Sequence, residues 1–260
     1  MTGPLGVVTL LLLQAAVGTL VVLWGIGAWG ETRRGFLHLA GVTAAVLAWA
    51  AWAAAGPGAA ADPAANASAV AALPWAALAA ALALTAWQGA LLAGTRAWTR
   101  MAGYAATLVA VAALGLAAVG RGERPALAVA EAGLGALFVG GAMIGLLLGH
   151  WYLFERRLSN RYMIRSARWY AGGVAAGAGA VALSALNPAP PLGGFSPFLA
   201  VPGFSLWLGG GLVLVCALIA AFVLKLAHEG GRSIQAATGL MYLAVIMAFS
   251  AEMSAKFRFF

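Results

Sequence analysis

Between Leu5 and Trp29 the chain carries no charged side chain, and seven further stretches resemble that one. A helix crosses the hydrocarbon core of a bilayer with about 20 mostly apolar residues. Windows of this kind occupy residues 5–29, 35–55, 74–94, 98–120, 126–154, 168–186, 203–226 and 234–255. Inside lipid every backbone N–H and C=O must be paired within the protein, so windows of this length predict α-helices. Composition agrees: 63% of the residues are hydrophobic and 8% are charged, with a mean hydropathy of +0.94. A soluble domain is about 45–50% apolar and about 25% charged, because its surface must face water. The expected fold is therefore an all-α polytopic integral membrane protein, one domain over residues 1–260 built as a bundle of eight transmembrane helices. This excludes a cytosolic enzyme, a nucleic-acid-binding module and a disordered chain.

The breaks between windows carry the punctuation of loops. Gly30-Glu-Thr-Arg-Arg-Gly35 is polar, 56–68 is rich in Gly, Pro, Asp and Asn, and Pro125 stands where the fifth helix would begin. Five prolines in 187–202 forbid regular helix there. The first four residues hold no Lys or Arg and the first window is long enough to span, so the first helix is expected to be retained rather than cleaved as a signal peptide.

The net charge of +8 and pI near 10.6 would suggest nucleic acid in a soluble chain. Here they read as topology. Eleven of the fifteen Lys and Arg fall in the connections after helices one, three, five and seven. The positive-inside rule places those connections in the cytoplasm and both termini outside, in a multi-pass protein of the cell's inner (plasma) membrane. Trp29, Trp49, Trp52, Trp75, Trp98, Trp151 and Trp169 fall near window ends, where an interfacial aromatic belt belongs. Helix–basic loop–helix recurs at the first and fifth positions, and Tyr104 and Tyr242 sit in similar Ala/Thr-rich settings. A four-plus-four parallel repeat with halves 1–122 and 123–260 fits that pattern; chance similarity of Ala-rich segments fits it too.

Small residues predict close packing. Gly141, Gly145 and Gly149 form a ridge on helix five, continued by Gly173 and Gly177 on helix six. Cys216 is the one cysteine, which excludes an intramolecular disulfide and a multi-thiolate metal site, and it reads as a small apolar packing residue.

Ionisable residues at membrane depth are costly, which makes them the first functional candidates. His38 and His150 each lie about one turn inside the cytoplasmic side, and His228 ends helix seven. If level in depth, His38 and His150 suit the axial positions of a b-type haem iron; the same pair suits hydrogen bonds to a quinone carbonyl, or proton relay. The competing reading is structural: an interfacial anchor beside Trp151 and Tyr152, and a helix C-terminal cap for His228. Glu131 is the carboxylate best placed for proton or quinol chemistry at the outer side, paired with a neighbouring charge or facing a polar cavity. Glu252 and Lys256, in the favourable i,i+4 order, read as an anchor snorkelling outward. Gln235, Thr238 and Tyr242 share one face of helix eight and can line a polar pocket near His228 or bond neighbouring helices.

The least generic stretch runs from Gly149 to Tyr170. Its Arg156, Arg157, Arg161, Arg165 and Arg168, interleaved with aromatics, can dock an acidic partner subunit, hold anionic lipid or phosphate, or simply set orientation. Metalloprotease, acidic metal-cluster and helical SxxK motifs are absent, and prolines fall at window edges rather than centres. In outline, eight helices in two halves resemble haem A synthase, but that family carries paired histidines in both halves and this chain has three histidines in all, so no function is transferred. The reading that results is a membrane subunit of a respiratory or redox electron-transfer complex, binding haem b or a quinone or anchoring partner subunits. The alternatives are a small-solute or lipid transporter or channel, and a structural scaffold.

Overall fold

The computed structural model describes residues 3–27, 34–60, 66–94, 96–121, 124–155, 158–186 and 203–257. The proline-rich connection 187–202 and the side chains of Trp29, Arg156 and Arg157 lie outside the described residues. Among the described residues are eight α-helices and no strand: α1 (Pro4–Gly25), α2 (Arg34–Ala60), α3 (Ala67–Ala93), α4 (Arg96–Val119), α5 (Pro125–Phe154), α6 (Arg161–Leu186), α7 (Phe204–Glu229) and α8 (Ser233–Lys256). All eight are long and apolar enough to span a bilayer. The protein is a polytopic all-α membrane protein in contact with lipid.

Three boundaries differ from the sequence expectation by several residues. Helix α3 begins at Ala67, so Pro74 is interior to it. The start is set by Asn66, whose side chain accepts from the Ala69 N–H at 3.3 Å and so satisfies one of the orphan donors of the first turn. Pro57 likewise lies within α2, near its end. Helix α6 starts at Arg161 instead of Arg168; a long side chain on a terminal turn can keep its guanidinium at the interface while its stem covers apolar surface.

The helices pack as two groups of four. Within each, chain neighbours touch and the first helix closes against the fourth, α1 on α4 and α5 on α8. The groups meet chiefly along α1 and α5. These two are the most enclosed helices, with 78% and 72% of their spanning windows buried against 33–44% for the other six. Their approach is a crossing of Gly18 with Gly140, where a Cβ on either residue would overlap the opposite backbone. The predicted glycine ridge does pack closely, but it divides between partners: Gly141 lies against the Tyr170 backbone of α6, while Gly145 and Gly149 receive Met241 and Thr238 of α8. Below, the face where α1 begins and α8 ends is the terminal face, and the opposite one the basic face.

Candidate functional site

His150 lies on the last turns of α5, at the basic face. Its Nδ1 is 3.0 Å from the Leu146 carbonyl oxygen, which can only accept. Nδ1 therefore carries the hydrogen, and in the neutral ring Nε2 is left as an acceptor. The Tyr242 hydroxyl of α8 donates to that atom. The two rings meet edge to face, centroids 5.1 Å apart at 82°. Helical side chains lean toward their helix N-terminus, which carries the Tyr242 hydroxyl toward the basic face and onto His150. Tyr242 is 51% exposed on the outer wall of the bundle, where lipid would run. On the same face of α8, Thr238 packs into the space left by Gly149 and Gln235 follows toward the basic face. There a cavity of about 640 Å³ opens, lined by Gly149, Tyr152, Asn160, Arg232 and Gln235 among others. The polar stripe of α8 thus leads to His150. Of the two expectations for this stripe, the bond to a neighbouring helix is seen at Tyr242, while His228 is exposed on α7 and bonds its own helix through Leu224 O at 2.7 Å.

The remaining basic-face candidates are distributed. His38, on α2, turns to α3, with Nδ1 3.0 Å from Gln88 Oε1. His38 and His150 thus hydrogen-bond to different partners. Tyr152 donates to Ser159 O at 2.6 Å and accepts from the Met163 N–H at 3.3 Å, closing the α5–α6 turn. Trp151 donates to Glu155 at 2.8 Å and packs on Phe36. Arg161 lies over the Tyr162 ring, Arg165 reaches Ile26 O at 3.4 Å, and Arg168 borders a shallow groove with Trp169 and Gly173. Among the described residues, no group of three or more His, Cys, Asp or Glu could hold a metal ion.

The terminal face holds what the sequence did not disclose. Glu131, Glu252, Lys256 and Gln14 are fully buried, and Arg121 is 4% exposed. Arg121 pairs with Glu131, and Lys256 pairs with Glu252 while standing 3.6 Å from Glu131. Gln14 Nε2 donates to Glu252 Oε2 and to Ala132 O, each at 3.1 Å. The pair expected to snorkel outward therefore points inward. The reason is packing: the end of α8 is held against α6 by Ser184 donating to Ala255 O at 2.9 Å, so the Lys256 stem runs into the bundle. Glu131 does pair, with Arg121 rather than Arg124, which reaches Leu186 O instead. Gly135 supplies clearance, since a Cβ there would overlap Gln14 Nε2 and Glu252 Oε2. Three cross-links here, Gln14–Glu252, Gln14–Ala132 and Arg121–Glu131, join the first four helices to the last four.

Two features of this network had a signal in the sequence. Gln14 is a rare amide deep in an apolar helix, and Gly135 stands one turn from Glu131. Nothing in sequence distinguishes a terminal Arg or Lys that turns inward from one that turns to water. No family model, no curated protein and no solved structure matches this chain.

Proposed function

We propose that the protein is the membrane-embedded, quinone-binding subunit of a redox complex in the inner (plasma) membrane, with the quinone headgroup at the lipid-facing His150–Tyr242 pair, next to the basic-face cavity that Gly149 and Gln235 line. The observation that carries this reading is the His150–Tyr242 pair on the lipid-facing wall. The Tyr242 O–H is held by His150 Nε2 and the His150 Nδ1–H by Leu146 O. The pair is therefore satisfied at rest and opens only toward a hydrogen-bonding molecule that can replace one of these bonds. A lipophilic molecule with a hydrogen-bonding head, arriving along the bilayer, is of that kind. The pair suits a carbonyl that becomes a hydroxyl, because the Tyr242 O–H can swing from His150 Nε2 to the carbonyl oxygen and His150, so released, can hold or return a proton. Quinone reduction takes two electrons and two protons. The electrons come from a cofactor of a partner subunit, for which Arg156, Arg157, Arg161, Arg165 and Arg168 form the docking surface.

Haem ligation by His38 and His150 fits less well. The His150 Nε2 that would bind iron already accepts from Tyr242, and the two imidazoles hydrogen-bond to different helices, His38 to Gln88 of α3 and His150 to Tyr242 of α8. An oxidised-minus-reduced absorption spectrum of purified protein separates the readings, since a haem band lost in His150→Ala would establish ligation. Quinone binding is tested by titrating nanodisc-embedded protein with a short-chain quinone and following quenching of tryptophan fluorescence. Saturable binding is expected, weakened about 5- to 10-fold by Tyr242→Phe, the equivalent of one hydrogen bond. No saturable quenching, or equal affinity in Tyr242→Phe and His150→Ala, would defeat the assignment.

A further inference from the structure

We propose that the basic-face cavity between the α5–α6 and α7–α8 turns is a binding site for a phosphate group, that of an anionic phospholipid whose headgroup lies at this face. The proposal does not rest on the quinone reading, whose site is the neighbouring His150–Tyr242 pair. The cavity measures about 640 Å³, and Tyr152, Leu153, Leu158, Asn160, Arg232 and Gln235 contribute to its lining. Among the described residues that line it, Arg232 is the one charged side chain and none is a carboxylate. A concave site whose fixed charge is a guanidinium selects an anion. The planar fork of N–H donors matches phosphate oxygens better than a point charge does.

Other polar groups of the walls are already engaged. The Tyr152 hydroxyl donates to Ser159 O and accepts from the Met163 N–H, and Asn160 Nδ2 donates to Ala227 O at 3.5 Å. These bonds close the α5–α6 turn and tie it to the end of α7, so the two walls are held together before any ligand arrives. By sequence, residues 155–161 and 229–232 carry four arginines against two glutamates, a balance that favours an anion. Both glutamates accept from a residue four positions away, Glu155 from Trp151 and Glu229 from Ser233. Arg232 and Gln235 stand three residues apart, both exposed, and neither side chain bonds to another described residue.

Placement identifies the source of the phosphate. Arg232 immediately precedes α8, and Leu158 lies in the turn after α5, so the cavity sits at the ends of spanning helices. That is the level of phospholipid headgroups, and basic pockets between helices hold anionic ones. The apolar flank argues the same way. Leu153, on the last turn of α5, lines the cavity and is 47% exposed, and Phe154 beside it is 84% exposed. A lipid seated with its phosphodiester on Arg232 and Gln235 lays the start of an acyl chain along Leu153. A free phosphate has no use for that flank.

Native mass spectrometry of the full-length protein, stripped into neutral detergent and titrated with phosphatidylglycerol, counts bound lipids and gives their affinity. One tightest adduct is expected, weakened about 10-fold by Arg232→Gln, the equivalent of one charge-assisted hydrogen bond. Lys225→Gln removes an exposed cation of α7 that does not line the cavity, and should leave the adduct unchanged. Tyr242→Phe should leave it unchanged too, although it weakens the proposed quinone site, so the two readings fail separately. All three positions are exposed, and the fold does not depend on them. Phosphatidylcholine, with no net charge, should bind no more tightly to the wild type than to Arg232→Gln. The absence of a discrete adduct would overturn the proposal, as would equal weakening by Lys225→Gln or Tyr242→Phe, or phosphatidylcholine bound as tightly as phosphatidylglycerol. Displacement of the lipid by inorganic phosphate would assign the cavity to a soluble phosphate and overturn the lipid source.

Discussion

Lys256 and Glu252 stand one helical turn apart, and on an exposed helix such a pair contributes a few tenths of a kcal/mol. Buried among Gln14, Glu131 and Arg121 they become part of a network whose members depend on one another. Removing one partner leaves an uncompensated buried charge, which costs about 3–5 kcal/mol, while replacing a whole pair with apolar groups is often tolerated. Glu131→Gln should therefore lower thermal stability in detergent, because the buried Arg121 guanidinium keeps its charge and loses the Glu131 carboxylate. The double replacement Arg121→Met with Glu131→Leu should recover most of that loss. Equal damage from both would show that the pair's charge is not what matters. Gly135 allows a cleaner contrast. Gly135→Ala forces a methyl into the Gln14–Glu252 contact and should cost about 1–3 kcal/mol. Gly133→Ala, two residues away with open space around it, should be neutral or stabilising by up to about 1 kcal/mol. Thermal denaturation of both variants side by side checks the difference.

At the scale of helices, the α1–α5 crossing holds the two groups of four together. Lipid is as apolar as Leu, so helices associate through close contact rather than through hydrophobic drive. Gly18→Leu should push α1 off Gly140 and Ala136 and reduce the yield of monodisperse protein several-fold on size exclusion. Gly115→Leu, on the open side of α4, should leave that yield unchanged. The existence and approximate extent of all eight helices were legible because continuous apolar windows leave no alternative in lipid. Which face of each helix turns inward was not. In a soluble helix the polar stripe marks the outside, whereas here both faces are apolar and the periodicity is silent. For that reason Gly141, Gly145 and Gly149 read as one ridge and divide between α6 and α8. The candidate sites were legible to the same degree. His150 and Glu131 stood out because ionisable residues are scarce in the windows. Tyr242, Arg121 and the inward turn of Lys256 depend on neighbours far away in sequence.

Over the whole molecule, the arginine-rich turn between α5 and α6 serves two readings, orientation and partner docking, and they separate in one experiment. By sequence, eleven of the fifteen basic residues belong to the connections after helices one, three, five and seven, and Arg156, Arg157, Arg161, Arg165 and Arg168 are five of those eleven. If they act through the positive-inside bias, changing all five to Gln leaves six against four, too weak a difference to hold one topology. Cys216 is the sole cysteine and is buried, so a Cys216→Ala background is silent to a membrane-impermeant maleimide. In that background Ser159→Cys reports the basic face and Ser68→Cys the terminal face, both exposed positions. Intact cells should label Ser68→Cys and spare Ser159→Cys. With the five arginines replaced, Ser159→Cys should become partly labelled as a fraction of molecules inserts inverted. If Ser159→Cys stays protected while an acidic partner subunit no longer co-purifies, the five arginines act in docking, and the other six basic residues of that face suffice to orient the bundle. Because labelling is read on assembled protein in the membrane, loss of partner and loss of orientation cannot be mistaken for each other.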